Sequence, residues 1–424
     1  MVKLTRAWLV VVGDELLNGR TVDTNSSFMQ RRLANRGVRV DAVTVVPDRA
    51  DRISAALDAV PAGALVVVTG GLGPTRDDLT AETVAAWAGA PLRENDAVAR
   101  HLRAMCAQRG YPYAENMVKQ GLLPAGLDAL LNPLGTAPAM AGELCERTLV
   151  LLPGVPQEVR AMWESVEAWL SARGRLGDPL PGVLMRTVRF SEPGLAKATE
   201  ALRGRHSDLD WSWWLTRWGV DVQAAAPSPA VAWPERLAGD LAAVLGDHVY
   251  ARDLRGLHEV VQADLIAGGW TVAVAESCTG GLLGAALTEN AGSSACFLGG
   301  ALTYADAVKT SALGVAPATL ESHGAVSVET AREMAAGCRE RFGSDHALSI
   351  TGIAGPDGGS PDKPVGTVCL GLASACGVYA GHYRLGPHRY RNRELAVSFA
   401  LDALRRHLAS AADPFAGRGG EARR

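Results

Sequence analysis

Residues 64–78, ALVVVTGGLGPTRDD, join a short apolar run to a loop with three glycines and two carboxylates. The run is too short and too β-branched for a helix and reads as a buried strand. Upstream, residues 38–46 (VRVDAVTVV) alternate well enough for a second strand. Residues 6–12 make another, which stops at Gly13-Asp14-Glu15. Between these strands, Asn25 opens a helical segment carrying Phe28 and Leu33 and closed by Gly37. A second helix fits 51–60. This β-α-β-α-β order predicts a parallel, doubly wound sheet, with ligand-binding residues beyond the carboxyl ends of its strands.

The loop after residue 69 meets that expectation. Gly70, Gly71 and Gly73 let the backbone approach a ligand closely. No Gly-Lys-Ser/Thr follows, so this is not a Walker loop, and Arg76 stands where a dinucleotide fingerprint has its third glycine. Thr75, Asp77 and Asp78 complete the loop. Two carboxylates repel a phosphate unless a divalent cation bridges them. The loop therefore predicts either a phosphate-plus-metal site with Asp77 and Asp78 as ligands, or a turn whose Asp77 or Asp78 caps a helix at 79–88. Farther on, Asn116, Lys119 and Gln120 share a polar helical stretch. Asn132-Pro133-Leu134-Gly135-Thr136-Ala137-Pro138 and Pro153-Gly154-Val155-Pro156-Gln157-Glu158 read as turns after apolar segments.

The chain has 424 residues, too many for one core, so two to three domains are expected. A net charge of −3 provides no global attraction for nucleic acid or anionic membrane. The apolar run near the N-terminus is too short for a membrane span, and a cytoplasmic location is expected. Seven cysteines without a Cys-x-x-Cys pair indicate neither a disulfide framework nor a zinc ribbon.

Residues 271–289, TVAVAESCTGGLLGAALTE, form a second strand-turn-helix unit. Ser277 and Cys278 are candidate nucleophiles at a helix start, where free backbone N–H groups favour negative charge. An ordinary capped helix start fits the same residues. Tyr304 and Lys309 follow another strand, which makes a Ser–Lys–Tyr arrangement conceivable. Arg391 and Arg393, at the start of the last helix, are forked donors suited to a phosphate.

Gly13-Asp14-Glu15-Leu16-Leu17-x-Gly19, Asp23-Thr24-Asn25, Thr69 through Asp78, Gly135-Thr136-Ala137-Pro138 and Leu152-Pro153-Gly154-Val155-Pro156-x-Glu158 occur in that order. Together they resemble the N-terminal domain of the CinA (competence/damage-inducible) family, which is similar to molybdopterin-binding domains. The resemblance implies a metal-dependent (Mn, Co or Mg) ADP-ribose pyrophosphatase. Its nucleotide site would hold Gly13, Asp14, Glu15, Asp23, Asn25, Gly70, Gly71, Gly73, Thr75, Asp77, Asp78, Asn116, Gly135 and Thr136. Ala139 departs from the Gly usual in the family.

Ala275 through Gly281, Gly292-Ser293-Ser294, Tyr304 through Lys309, Gly324 through Ser327 and Thr351 through Pro356 resemble the C-terminal CinA domain, a nicotinamide-nucleotide amidase. That resemblance implies cofactor-free hydrolysis of nicotinamide mononucleotide (NMN) to nicotinate mononucleotide and ammonia. Ser277 would be the nucleophile, Lys309 and Tyr304 its activating partners, with Thr351 alongside. Thr279, Gly280, Gly281, Ser294, Gly352, Arg391 and Arg393 would bind substrate, the amides of Thr279–Gly281 holding the oxyanion. Tyr-Ala-Asp-Ala-Val-Lys replaces the Tyr-Ser-Asn-x-x-Lys of many relatives but keeps Tyr and Lys.

The expected organisation is an α/β domain at 1–173, a linker at 174–182, a small KH-like α/β connector at 183–255, an α/β amidase domain at 256–410 and a disordered tail at 411–424. Five of the ten tryptophans lie between Trp211 and Trp233, a cluster suited to packing more than to base stacking. The expected form is a homodimer acting on NMN and ADP-ribose, without nucleic acid or membrane partners. Two alternatives stay open. One is a single-function amidase with a nucleotide- or pterin-binding N-terminal module, the other a competence-linked interaction protein.

Overall fold

The computed structural model describes residues 3–110, 112–410 and 412–415. The chain divides into two compact units, Met1–Pro181 and Gly182–Arg424.

In the first unit the elements run β1 (Arg6–Val12), α1 (Asp14–Leu17), α2 (Asn25–Ala34), β2 (Arg39–Val46), α3 (Ala50–Asp58), β3 (Leu65–Thr69), α4 (Thr80–Trp87), β4 (Leu92–Glu94), α5 (Asp96–Arg109), β5 (Leu122–Pro124), β6 (Leu127–Leu130), β7 (Ala139–Leu144), β8 (Arg147–Leu152) and α6 (Pro156–Ala172). The main sheet has the order β2-β1-β3-β8-β7-β6. Its first four strands are parallel and β7 turns antiparallel to β8. β3 is buried along its whole length because helices cover both faces. Leu65 and Val67 face the α2/α6 side, packing with Met29, Leu33, Val159 and Trp163. Val66 and Val68 face the α3/α4/α5 side, packing with Ile53, Leu57, Val84 and Leu102. This is the doubly wound sheet that the strand order predicted.

Gly70 follows β3 at a φ of 95°, and a Cβ there would lie 2.1 Å from the Val12 carbonyl oxygen. Gly70→Ala is therefore expected to destabilise the first unit by roughly 3 kcal/mol, from positive-φ strain and the clash together. Chemical denaturation of the full chain, followed by the Trp163 environment, checks this.

The stretch 174–182, expected as a linker, is mostly tied to the first unit. Leu4 N–H donates to Arg175 O and Leu180 N–H to Asn35 O, both bonds short, and Leu176 is buried in the α2/α6 core. Gly and Pro there mark turns of a packed strap.

The second unit begins with β9 (Gly182–Thr187), α7 (Glu192–Arg205), β10 (Asp210–Leu215), β11 (Val220–Ala225), α8 (Leu237–Leu245) and β12 (Val249–Ala251). These strands form an antiparallel sheet, order β10-β11-β9-β12, with α7 and α8 packed on it. Trp211, Trp213 and Trp233 pack against that core. There follow α9 (Leu257–Gly268), β13 (Val272–Glu276), α10 (Leu282–Leu287), β14 (Phe297–Leu302), α11 (Asp306–Leu313), α12 (Pro317–His323), α13 (Val328–Phe342), β15 (His346–Gly352), β16 (Thr367–Ser374), β17 (Gly377–Arg384) and α14 (Arg389–Ser410). Their sheet has the order β14-β13-β15-β16-β17, with the first three strands parallel and the last two antiparallel. Val272 and Val274 of β13 face α9 and α14, while Ala273 and Ala275 face α13.

A buried ionic cluster joins the small sheet to α14. Asp402 accepts from Arg189, Arg405 and Arg406, and Arg406 also reaches Asp247. Of the tail expected to be disordered, residues 412–415 pack on this unit. Phe415 is buried in its core and Ala412 O lies 2.8 Å from His407 Nδ1. Residue 411 and residues 416–424 lie outside the described residues.

Candidate active sites

In the second unit the carboxyl edge of the parallel strands gathers the turn after β13, the segment after β14 and the end of β15. Ser277 N–H donates to Ile350 O at 2.9 Å, and Thr303 N–H donates to Glu276 O at 2.7 Å. Ser277 is therefore flanked by Thr303-Tyr304 on one side and Thr351 on the other. Continuing the alternation of β13, Ser277 falls on the α13 face. Lys309 sits on α11, which packs against α13 on that face, and is 1% exposed. Its Nζ donates to the Tyr304 carbonyl oxygen at 3.1 Å and to Asp306 Oδ1 at 3.4 Å. Tyr304 itself is 66% exposed, so Lys309 meets its backbone, not its phenol. Thr351 Oγ1 donates to Ala325 O at 2.8 Å.

Cys278 points the other way, into the core shared with α10 and α14. Burial pushes its thiol up to about 11, against a smaller opposing effect of its own backbone and of Arg393. A thiol so placed is no nucleophile near neutral pH.

Glu276 is the residue that sequence reasoning did not assign. Its buried carboxylate accepts from the backbone N–H groups of Gly281 (3.0 Å), Leu283 (3.1 Å) and Gly284 (2.8 Å). Gly280 N–H donates to Ser277 O at 3.1 Å. Of the amides expected to hold an oxyanion, those of Gly280 and Gly281 are thus engaged within the turn. The signal was present as a Glu directly before the hydroxyl-rich turn, but nothing local showed that its carboxylate bends back over the helix start.

The remaining expected residues divide. Gly352 ends β15 at the same edge, where a Cβ would lie 2.9 Å from Thr367 O. Arg393 donates to Thr279 O at 2.7 Å. Arg391 instead contacts Thr216 O and Glu394, both at 3.4 Å, and so turns toward the small sheet. Ser294 precedes β14, at the opposite edge of the sheet. The six residues of β14 put it roughly 20 Å from Ser277 within the chain.

In the first unit, the loops after β1, β2, β3 and β8 share one carboxyl edge. Asp78 Oδ2 accepts from Thr75 N–H (2.8 Å) and Thr75 Oγ1 (2.6 Å), while Gly73 leaves room for that carboxylate. Asp77 is exposed. Gly71 abuts Thr80, whose Oγ1 donates to Gly70 O. Lys119 Nζ lies 3.3 Å from both Thr75 O and Glu82. Asn25 Nδ2 donates to Gly154 O, and Asp23 caps the start of α2 through Ser26 N–H. Asn132 holds the next loop, accepting from Gly135 N–H and donating to Glu158 at 2.7 Å. Thr136 is half-buried beside it and Asn116 is exposed.

Asp48 was also unassigned. It accepts from Asp14 N–H at 2.9 Å. Burial raises its carboxyl above the usual range, with Asp14, Glu15 and Asp78 adding to the rise. These four carboxylates form an all-oxygen, negatively charged edge, the donor chemistry of a hard divalent cation. Among the described residues, no three His, Cys, Asp or Glu side chains converge as a ready-made metal cage. Such a cation would take further oxygens from substrate and water.

A model described as a probable molybdopterin binding domain matches residues 8–171, and one described as the CinA C-terminal domain matches residues 254–408. The chain is 40% identical over 417 residues to a CinA-like protein of Synechococcus elongatus, covering 95% of this chain and 97% of that one. It belongs to the CinA family. A CinA-like protein of Citrifermentans bemidjiense is 39% identical over 407 residues, covering 95% of this chain and 97% of its own. Among solved structures, the competence/damage inducible protein CihA of Agrobacterium tumefaciens is 41% identical and covers 38% of this chain and 100% of its own, with a TM-score of 0.35. As in the sequence reading, this CinA chain pairs a molybdopterin-binding-like α/β domain with an α/β CinA C-terminal domain. None of its described helices is long and apolar enough to cross a membrane.

Proposed function

We propose that this CinA-family protein hydrolyses the carboxamide of NMN in its second unit and cleaves ADP-ribose in its first. The amidase reading is carried by one observation: a fully buried lysine on the face of the sheet to which the alternation of β13 directs Ser277. Lys309 acts as the base that takes the Ser277 proton. Ser277 Oγ bonds the carboxamide carbon, and the amide of Thr279 stabilises the oxyanion. The C–N bond then breaks as the proton passes to the leaving nitrogen, and ammonia departs. Water hydrolyses the resulting ester, giving nicotinate mononucleotide and free Ser277.

The pyrophosphatase reading is supported by the carboxylate edge of Asp14, Glu15, Asp48 and Asp78. A bound divalent cation there would offset the charge of a pyrophosphate. The glycine loop lets backbone N–H groups approach the same group.

Incubating the full chain with NMN and with ADP-ribose, with and without divalent metal, separates the two activities. Ammonia from NMN in the presence of a chelator, and AMP from ADP-ribose only with metal, are the expected products. Asp78→Asn and Asp48→Asn are each expected to lower ADP-ribose cleavage at least ~100-fold while leaving NMN deamidation unchanged. Metal-independent cleavage of ADP-ribose, or none at all, would overturn the pyrophosphatase assignment and leave a binding module.

A further inference from the structure

We infer that the hydroxyl of Thr303 carries the proton of Ser277 to Lys309. The inference rests on the amidase reading above and deepens one step of it. Thr303 directly follows β14, where the chain leaves the sheet. Its side chain is fully buried, and its Oγ1 has no hydrogen-bond partner among the described residues. A hydroxyl left unpaired in the interior costs stability, so one kept there calls for a reason.

Strand register places it beside the nucleophile. Glu276 pairs with Leu302 on one side and with Ile350 on the other. The bonds from Thr303 N–H to Glu276 O, at 2.7 Å, and from Ser277 N–H to Ile350 O, at 2.9 Å, carry that register one residue further. Thr303, Ser277 and Thr351 therefore stand in a row across three neighbouring parallel strands, each about 5 Å from the next. Two residues earlier in each strand, the α13 face is fixed by contacts. Ala301 and Ala275 pack in the α13-side core, and Ser349 Oγ donates to Ala331 O of α13. The alternation returns Thr303, Ser277 and Thr351 to that face. Thr351 Oγ1 is already committed to Ala325 O. Thr303 carries the uncommitted buried hydroxyl next to Ser277.

Lys309 lies on the β14 side of Ser277. Its Nζ is held at the carbonyl oxygen of Tyr304, one residue beyond Thr303, and at Asp306. Among the described residues no hydrogen bond joins it to Ser277 Oγ. The way from nucleophile to amine thus leads past the end of β14, where Thr303 stands. The Tyr304 phenol, the other hydroxyl near this path, belongs to an exposed side chain. A threonine hydroxyl both accepts and donates. Thr303 Oγ1 accepts the Ser277 proton while its own passes to Lys309 Nζ, so it is a neutral hydroxyl before and after. The Ser277 O–H bond breaks as Oγ bonds the carboxamide carbon, and the proton held on Lys309 is the one later delivered to the leaving nitrogen.

The test measures ammonia release from NMN by the full chain, with the melting temperature of every variant. Thr303→Val keeps the shape of the side chain and removes the hydroxyl. It is expected to lower kcat roughly 100-fold, the worth of a positioned proton carrier, with KM little changed. Its melting temperature should equal or exceed that of wild type, because a methyl replaces an unpartnered hydroxyl. Thr303→Ala should show the same fall in kcat, and Thr303→Ser should keep most of the turnover. A packing role would move stability and spare kcat. Wild-type kcat in Thr303→Val overturns the inference, as does an equal fall in the valine and serine variants. So does a loss confined to Tyr304→Phe, which would give the relay to the phenol. Wild-type protein that releases no ammonia from NMN removes the amidase reading itself, and this inference with it.

Discussion

Ser277→Ala is expected to abolish ammonia release from NMN, lowering turnover by at least ~10⁴-fold, as loss of a covalent nucleophile does in other hydrolases. On the transition-state scale that is about 5.5 kcal/mol. Cys278→Ala is expected to keep most of the activity. The two residues are adjacent, yet the strand's alternation sends them to opposite faces. Ser277 falls on the side of Lys309 and Thr351, at the carboxyl edge. Cys278 lies in the core with α10 and α14, its thiol pushed up to about 11 by burial. Steady-state ammonia release with both variants, at matched folded concentration, decides between them. Equal loss in the two would sink the assignment.

Much of this was legible in the sequence because it rests on local pattern. The apolar run before Gly70 and the one before Glu276 each had to be a strand, and the residues just beyond each had to lie at a carboxyl edge. The structure has both. What stayed hidden depends on contacts between distant segments. Asp48 follows β2 after a single proline, and only the pairing of β1 with β2 brings it to Asp14. The family resemblance implied a substrate-binding role for Ser294, but β14 runs parallel to β13 and leaves it at the far edge of the sheet. Arg391 and Arg393 are two apart on a helix, so they point in different directions. One meets the turn at Thr279 and the other the small sheet at Thr216. The strap at 174–182 held glycine and proline enough for a linker, and Leu176 decided otherwise by being buried.

Glu276→Ala is expected to impair ammonia release from NMN, less severely than loss of Ser277, although Glu276 makes no bond to the nucleophile's side chain. The turn from Ser277 to Gly281 must present Ser277 on one face and a free amide beside it. Gly280 and Gly281 take φ of 58° and 99°, which lets the chain reverse into α10. The Glu276 carboxylate fixes that reversal by accepting from the amides of Gly281, Leu283 and Gly284. Alanine leaves those three donors buried without an acceptor, at about 1–3 kcal/mol each where water does not enter. The turn then relaxes, and the amide of Thr279 loses its aim. A fall of at least ~100-fold in kcat is expected, with a lower melting temperature, in line with loss of an oxyanion donor. Glu276→Gln keeps one acceptor oxygen but sets an NH₂ group against backbone donors, so it should fall between wild type and alanine. Assayed well below the melting temperature, the alanine variant separates positioning from mere stability. A folded Glu276→Ala protein with wild-type kcat would show that the turn needs no carboxylate to hold its catalytic shape.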